Sequence, residues 1–354
     1  MLDVLKAAVL VIALAAGMSF INADAPLRSG AESWLGPVQA RAEAQQGESH
    51  LVLEVVRQDF VQERAEGLRD AVRAGLRQAG VGYTGLVAQE GTVEVRITNE
   101  ADLAKAMEAV GAVIADKKGT DSFADFTLAE DEPGLLKLVP SEAGIDAAID
   151  AAVRRSVEIL KRRIVEFGAA KYDASLEGKD RIAITVSGSH DPDRLREVLS
   201  RRARLTLQWV DASMPAEQAL AGKAPEGSSI INSNEEPPRP YLVKDEVVLS
   251  GDRIVDAQAT ADQYSGQPVI SFRFDEEGAR LFGEATAQNI GKSLAVILDG
   301  IVIMAPTVLE PILGGAGQIS GNFTAESAKD VALLLRAGGL PAKFNVIEAR
   351  FKTP

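Results

Sequence analysis

The 354-residue chain contains no cysteine, which removes disulfides, thiolate catalysis and cysteine-ligated metals together. It suits an oxidising compartment, where stray thiols are a liability. Only two histidines occur, His50 and His190. A histidine-rich metal centre is excluded, and a histidine-based catalytic pair would require these two to meet. Positive charge is also short: 38 Lys and Arg against 51 Asp and Glu give a net charge of −13. Such a surface repels phosphates, so nucleic acid is not an expected partner. Long hydrophobic runs are scarce. The most apolar late segment, Leu294–Ala305, is broken by Asp299-Gly300 and reads as a hairpin rather than a span.

One long apolar run does exist, at Leu5–Ile21 (LKAAVLVIALAAGMSFI). Two readings stand: a spanning anchor or the apolar core of a secretion signal. The small-x-small site Ala23-Asp24-Ala25 is followed by Pro26, a poor residue after a signal-peptidase cut, which favours the anchor. Lys6 on the leading side points to an internal amino terminus. Either reading exports the remainder, so the expectation is a single-pass chain with residues 1–25 as anchor or signal and 26–50 as linker.

Composition is ordinary beyond that, with 46% hydrophobic and 25% charged residues, and the length suggests two or three compact units. Periodicity supplies them. Leu51, Leu53 and Val55 alternate as a strand. Val61, Ala65, Leu68, Val72 and Leu76 then recur at helical spacing, strands follow around Glu90-Gly91, and Asn99 caps a further helix. A second round starts at Leu135–Val139 and runs through a long helix with the stripe Val153, Val157, Leu160, Ile164 and Phe167. It closes at Leu205–Trp209. A third holds Phe272 and Phe274, a helix over 276–289, the Asp299-Gly300 hairpin and a helix capped by Thr324. The predicted fold class is α+β, with repeated βαββαβ units and antiparallel sheets at 51–130, 131–211 and 212–350. The last includes an irregular Pro- and Gly-rich insertion over 212–268, with only short strands at Tyr241–Val243 and Val247–Leu249.

No constellation suggests catalysis. Asp131-Glu132 and Glu235-Glu236 sit in polar stretches and read as solvated loop charges. Gly314-Gly315-x-Gly317 lacks the Lys-Ser/Thr of a phosphate loop and reads as turn glycine. The basic run Lys161-Arg162-Arg163 reads as the outer side of a helix, either a solvated face or a docking patch for acidic lipid or a partner protein. The expectation is a non-enzyme with no cofactor and no metal site.

Several stretches resemble the SecD family of the Sec protein-export machine. They are FDEEGARLFGEATAQNIGKSLAVILDG (Phe274–Gly300), GGAGQISGNFTAESAKDVALLLRAGGLPA (Gly314–Ala342), VIEAR (Val346–Arg350), SVEILKRRIVEFG (Ser156–Gly168) and the block Lys179–Asp211. Leu51–Tyr83 is similar to the extended amino-terminal portion of the long Gram-negative type. The family's GLDLQGG-like stretch is matched only at its end, in Ala40–His50.

The resemblance implies ferredoxin-like units, a base and a mobile head on the periplasmic side of the bacterial inner membrane. It also implies a SecF-like subunit and a SecYEG-type translocon as partners. The implied function is to bind emerging preproteins and assist export driven by the proton-motive force. The family's later spanning helices have no counterpart in this sequence, so a second expectation stays open: an envelope chaperone or scaffold reusing the domain without proton conduction. A module that holds unfolded chains needs an open sheet edge or an apolar groove. The candidate surface is Ile301, Ile303, Met304, Val308, Leu309 and Ile312, and the candidate hinge is Gly338, Gly339 and Pro341.

Overall fold

In the computed structural model, residues 47–115, 123–188 and 191–352 are described. The expected anchor at Leu5–Ile21 lies outside them. Among the described residues, no helix is long and apolar enough to cross a membrane.

Alternation and helical spacing account for most elements. Strand β1 (Glu48–Val55) buries Leu51, Leu53 and Val55. Helix α1 (Arg57–Gln78) buries Ala65, Leu68, Val72 and Leu76. Strands β2 (Tyr83–Gln89) and β3 (Thr92–Ile97) meet at Glu90-Gly91, both with positive φ. Helix α2 (Leu103–Ala115) and the hairpin β4 (Phe126–Glu132) and β5 (Leu135–Pro140) follow. Helix α3 (Glu142–Phe167) starts on Ser141, whose side chain accepts from the Gly144 N–H, and ends on left-handed Gly168. Next come β6 (Lys171–Glu177), β7 (Arg181–Ser187), α4 (Pro192–Ser200) and β8 (Leu205–Val210). The insertion folds as α5 (Ala216–Ala221), β9 (Ser228–Asn232), β10 (Pro240–Ser250) and β11 (Ile254–Ala261). The chain finishes with β12 (Pro268–Phe274), α6 (Glu276–Gln288), β13 (Leu294–Leu298), β14 (Ile301–Met304), β15 (Ala316–Ile319), α7 (Ala325–Ala337) and β16 (Phe344–Lys352).

These elements build four sheets with antiparallel pairing throughout, in a mixed α/β architecture. The order β2-β3-β5-β4 carries α1 and α2 over a core of Val93, Val95, Leu136 and Leu138. The order β16-β1-β7-β6 carries α3 and α4 over Leu51, Leu53, Ile182 and Ile184; we call this layer the base. The sheets β14-β13-β8-β10-β9 and β11-β12-β15 enclose α6 and α7 around Phe272, Phe274, Phe282, Leu298 and Leu335, forming the head. A single parallel bridge, Ser233 to Val302, links the far edges of the five-stranded sheet and curls it over Val243, Ala295, Ile297 and Val302.

Three consecutive βαββαβ units are therefore not what the strands form. Strand β1, expected to pair within 51–130, lies between β7 and β16, with Leu51 opposite Ile184 and Ala349. Strand β5, expected to open the second unit, pairs with β3 and β4. Strand β8, expected to close it, sits in the head beside β13, with Leu207 opposite Val296. Strand β16, expected to close the third unit, returns to the base. The base runs β1-α3-β6-β7-α4-β16, a β-α-β-β-α-β order assembled from three distant stretches of chain. Alternation reports which face a strand buries but not which strand lies beside it, so reading neighbours as partners misplaced four strands.

Candidate functional site

The candidate surface is built on the β13–β14 hairpin. Asp299 and Gly300 both have positive φ, at 52° and 81°, as a tight two-residue hairpin turn requires. The Asp299 carboxylate accepts hydrogen bonds from the backbone N–H groups of Ala203 (3.1 Å) and Arg204 (2.8 Å). The turn therefore points back to where the chain enters the head. At the other end, residues 291–294 and 306–308 continue the ladder, with Gly291 N–H bonded to the Val308 carbonyl and Val308 N–H to that of Lys292.

This geometry separates the six expected residues. Ile301, at the turn, and Leu309, past the far end, are exposed at 45% and 62%. They lie eight residues apart along an extended arm, roughly 25 Å at the rise of a strand. Val308 is buried in the head core. Ile303, Met304 and Ile312 are half-buried against the same core; the Met304 sulfur accepts from Ser320 N–H, and Ile312 N–H donates to Thr286 Oγ1. Two residues that periodicity did not single out join Leu309 instead. Ile290 precedes Gly291, where the ladder ends on Val308, and Leu313 packs over Gly283 of α6; they are exposed at 54% and 76%. The exposed apolar set is thus Ile290, Leu309 and Leu313 at one end of the head. The edge strand β14 is partly closed by the bridge to Ser233, which buries Val302.

The other motifs resolve simply. Asp131, Glu132, Glu235 and Glu236 are exposed. Gly315 has φ +62° and a Cβ there would lie 2.3 Å from the Ala279 Cβ, so this glycine is required by close packing on α6.

Gly338, Gly339 and Pro341 lie on the return from head to base. Gly338 ends α7 at φ +101°, and its N–H bonds to the Leu334 carbonyl. A Cβ on Gly339 would sit 3.0 Å from the Ala203 carbonyl oxygen. Leu340 and Ala342, flanking Pro341, are buried in the base core. The basic run needs correction here. Arg163 is fully buried rather than on the outer side of α3, and Arg162 donates to the Ala337 carbonyl (3.0 Å).

Two family models match this chain: the SecDF P1 head subdomain over residues 228–342 and the amino-terminal P1 domain of protein translocase subunit SecDF over residues 153–212. The chain is 33% identical over 306 residues to the protein translocase subunit SecD of Rickettsia felis. It is 35% identical over 310 residues to that of Acetobacter pasteurianus. Both alignments cover 86% of this chain and 57% of the relative. The chain belongs to the SecD family.

It spans just over half the length of these SecD relatives. Among solved structures, one described as a membrane component SecDF that enhances protein export is 30% identical, covering 57% of this chain and 93% of that one at a TM-score of 0.47. SecDF in a super-membrane-facing form is 32% identical, covering 57% and 28% at a TM-score of 0.49. The match to the SecDF head ends at Ala342, where the chain has just re-entered the base core. The match to the amino-terminal P1 domain includes β8, although that strand pairs inside the head. The two SecD segments are thus interlocked at the joint rather than laid end to end.

Proposed function

We propose that this chain is the extracytoplasmic working part of a SecD-type export factor, held at the inner membrane by Leu5–Ile21. In this reading the base is a ferredoxin-like unit with the first strand beside the third and fourth. The head binds unfolded preprotein emerging from a SecYEG-type translocon. A SecF-like partner and the proton-motive force supply the drive, and the head swings on the base through the Gly338–Pro341 return. The role is binding and mechanical, not catalytic.

The supporting observation is the exposed apolar set Ile290, Leu309 and Leu313 on a well-packed head. Large apolar side chains held out in water fit a surface that accepts apolar segments of another chain. A photo-crosslinking residue replaces Leu309, Leu313 or, as a control, Glu177 on the base edge. Inner-membrane vesicles carrying a stalled secretory precursor are then irradiated. Crosslinks to the precursor at 309 and 313 but not at 177 are expected. Equal labelling at all three, or none at 309 and 313, overturns the assignment.

A further inference from the structure

The chain leaves the base for the head through Arg201–Arg204, after α4. It returns through Gly338–Ala342, after α7. These two connections touch. Leu340 N–H donates to the Arg202 carbonyl at 2.8 Å. A Cβ on Gly339 would lie 3.0 Å from the Ala203 carbonyl oxygen, so any side chain there presses the two connections apart, and Ala203 itself has φ 58°. The base–head joint is therefore a crossing of two strands of backbone.

Arg163 fills that crossing from α3. Its Nη1 donates to the carbonyls of Val198 (3.0 Å) and Arg201 (2.5 Å), and its Nη2 to those of Arg202 (3.1 Å) and Gly338 (2.9 Å). Three of these carbonyls belong to the outgoing connection and the last turn of α4. The fourth belongs to the residue that ends α7. Carbonyls at a helix C-terminus lack intrahelical donors and carry partial negative charge, so a cation is well placed there. Burial lowers the guanidinium pKa to about 9, with the Asp299 carboxylate opposing the shift and Arg201 adding to it. The group thus remains charged at neutral pH. Its hydrogen bonds go to carbonyl oxygens, not to a carboxylate. A lysine could not reproduce this: its donors radiate from one atom, whereas the planar fork reaches two chains at once.

We infer that Arg163 is a positioning residue that fixes the resting orientation of the head on the base by gripping both connections simultaneously. Arg162 extends the grip to Ala337. Ion pairs ring it on the outside: Arg202 with Glu63, Arg336 with Glu166 (2.6 Å) and Arg194 with Asp330 (2.6 Å). Neither connection can shift alone without stripping donors from the other. The inference concerns resting geometry and does not depend on an export role.

The absence of cysteine makes the test direct, since two introduced thiols are the only labelling sites. Glu177→Cys on β6 and Tyr264→Cys at the exposed tip between β11 and β12 carry spin labels on base and head in the full chain. Pulsed dipolar spectroscopy then gives their distance distribution. The parent should show one narrow distance. Arg163→Lys should broaden it and speed amide exchange at Leu340 about tenfold or more, leaving Ile184 in the base core unchanged, as local opening requires. Glu63→Gln, which removes an outer ion pair but leaves Arg202 and its bond to the Leu340 carbonyl in place, should leave the distance narrow. If Arg163→Lys does not fold, Gly339→Val, which forces the connections apart at Ala203, should give the same broadening. A broad distribution in the parent, or a narrow one with unchanged Leu340 exchange in Arg163→Lys, overturns the inference. A narrow one in Gly339→Val does so too.

Discussion

Replacing Phe282 by alanine probes the packing that holds the head together. Phe282 is 4% exposed on α6, and its ring meets Phe274 edge to face at 5.4 Å, which in turn meets Phe272 at 5.1 Å. The cost of such a truncation is the lost transfer energy plus the cavity that remains, about 3–5 kcal/mol for a buried phenylalanine. Where the value falls depends on whether α6 can settle into the gap. The helix is held at its start by the Asp275 carboxylate, which accepts from Gly278 N–H (2.6 Å). Near its end, Thr286 Oγ1 donates to the Phe282 carbonyl and accepts from Ile312 N–H. A helix pinned at both ends relaxes little, so the expected loss is at least about 4 kcal/mol, in the upper half of the range. Trp209 packs on the same cluster, so its fluorescence in a Trp34→Phe background follows head unfolding in denaturant. Amide exchange at Ile184 should stay unchanged below the transition. A loss under about 1 kcal/mol would refute both the helix face and the pinning argument.

Two further outcomes are expected. Asp125 is 5% exposed and pairs bidentately with Arg64 (2.7 and 2.5 Å), which also lies over the rings of Phe60 and Phe123. Asp125→Ala takes the bidentate carboxylate away from a largely buried guanidinium, and should cost about 3–5 kcal/mol by thermal or denaturant melting, whereas adding Arg64→Met should recover most of it. The hydrogen bond from the Ser228 hydroxyl holds the Asp211 carboxyl below its ordinary 3.8. A carboxylate depressed in the folded state stabilises above its unfolded pKa and loses that contribution as pH falls through the folded one. The parent's stability should therefore fall more steeply below about pH 4 than that of Asp211→Asn; identical acid limbs would refute the assignment.

Local structure was legible because it depends on near neighbours. The stripe of α3, the stop at Gly168, the Thr324 cap and the Asp299-Gly300 turn were all readable, and each lies where its residues put it. Sheet membership was not legible. Leu51, Leu53 and Val55 would bury equally well against any apolar face. Whether that face is offered by Val93 and Val95 or by Ile182 and Ile184 depends on loops over a hundred residues long. The insertion over 212–268 was legible only in fragments for a related reason: the short strands at Tyr241–Val243 and Val247–Leu249 are two pieces of one strand. Strand β10 is bulged between Val243 and Val247, which breaks the alternation that would have announced eleven continuous residues.

Arg163 departs from the outer-face reading of the basic run because position on the helix outweighs charge. Arg163 lies three residues after Leu160 and seven after Ser156, both fully buried. That spacing puts it on the inward face of α3, whatever its side chain. An arginine on an apolar stripe either snorkels outward or finds enough acceptors to replace water. Here the acceptors exist only because two backbone connections, separated by the whole head in sequence, end their helices at the same point. A guanidinium can occupy that point when both are present and would be stranded if either left. The same crossing explains the paired glycines: Gly338 adopts an angle that closes α7, and Gly339 lets the returning chain pass within contact of Ala203. In the resting arrangement the glycines that suggested freedom in the sequence are thus also needed for closeness. Any swing of the head must either carry this crossing along as a unit or break the hydrogen bonds of Arg163 to one side of it.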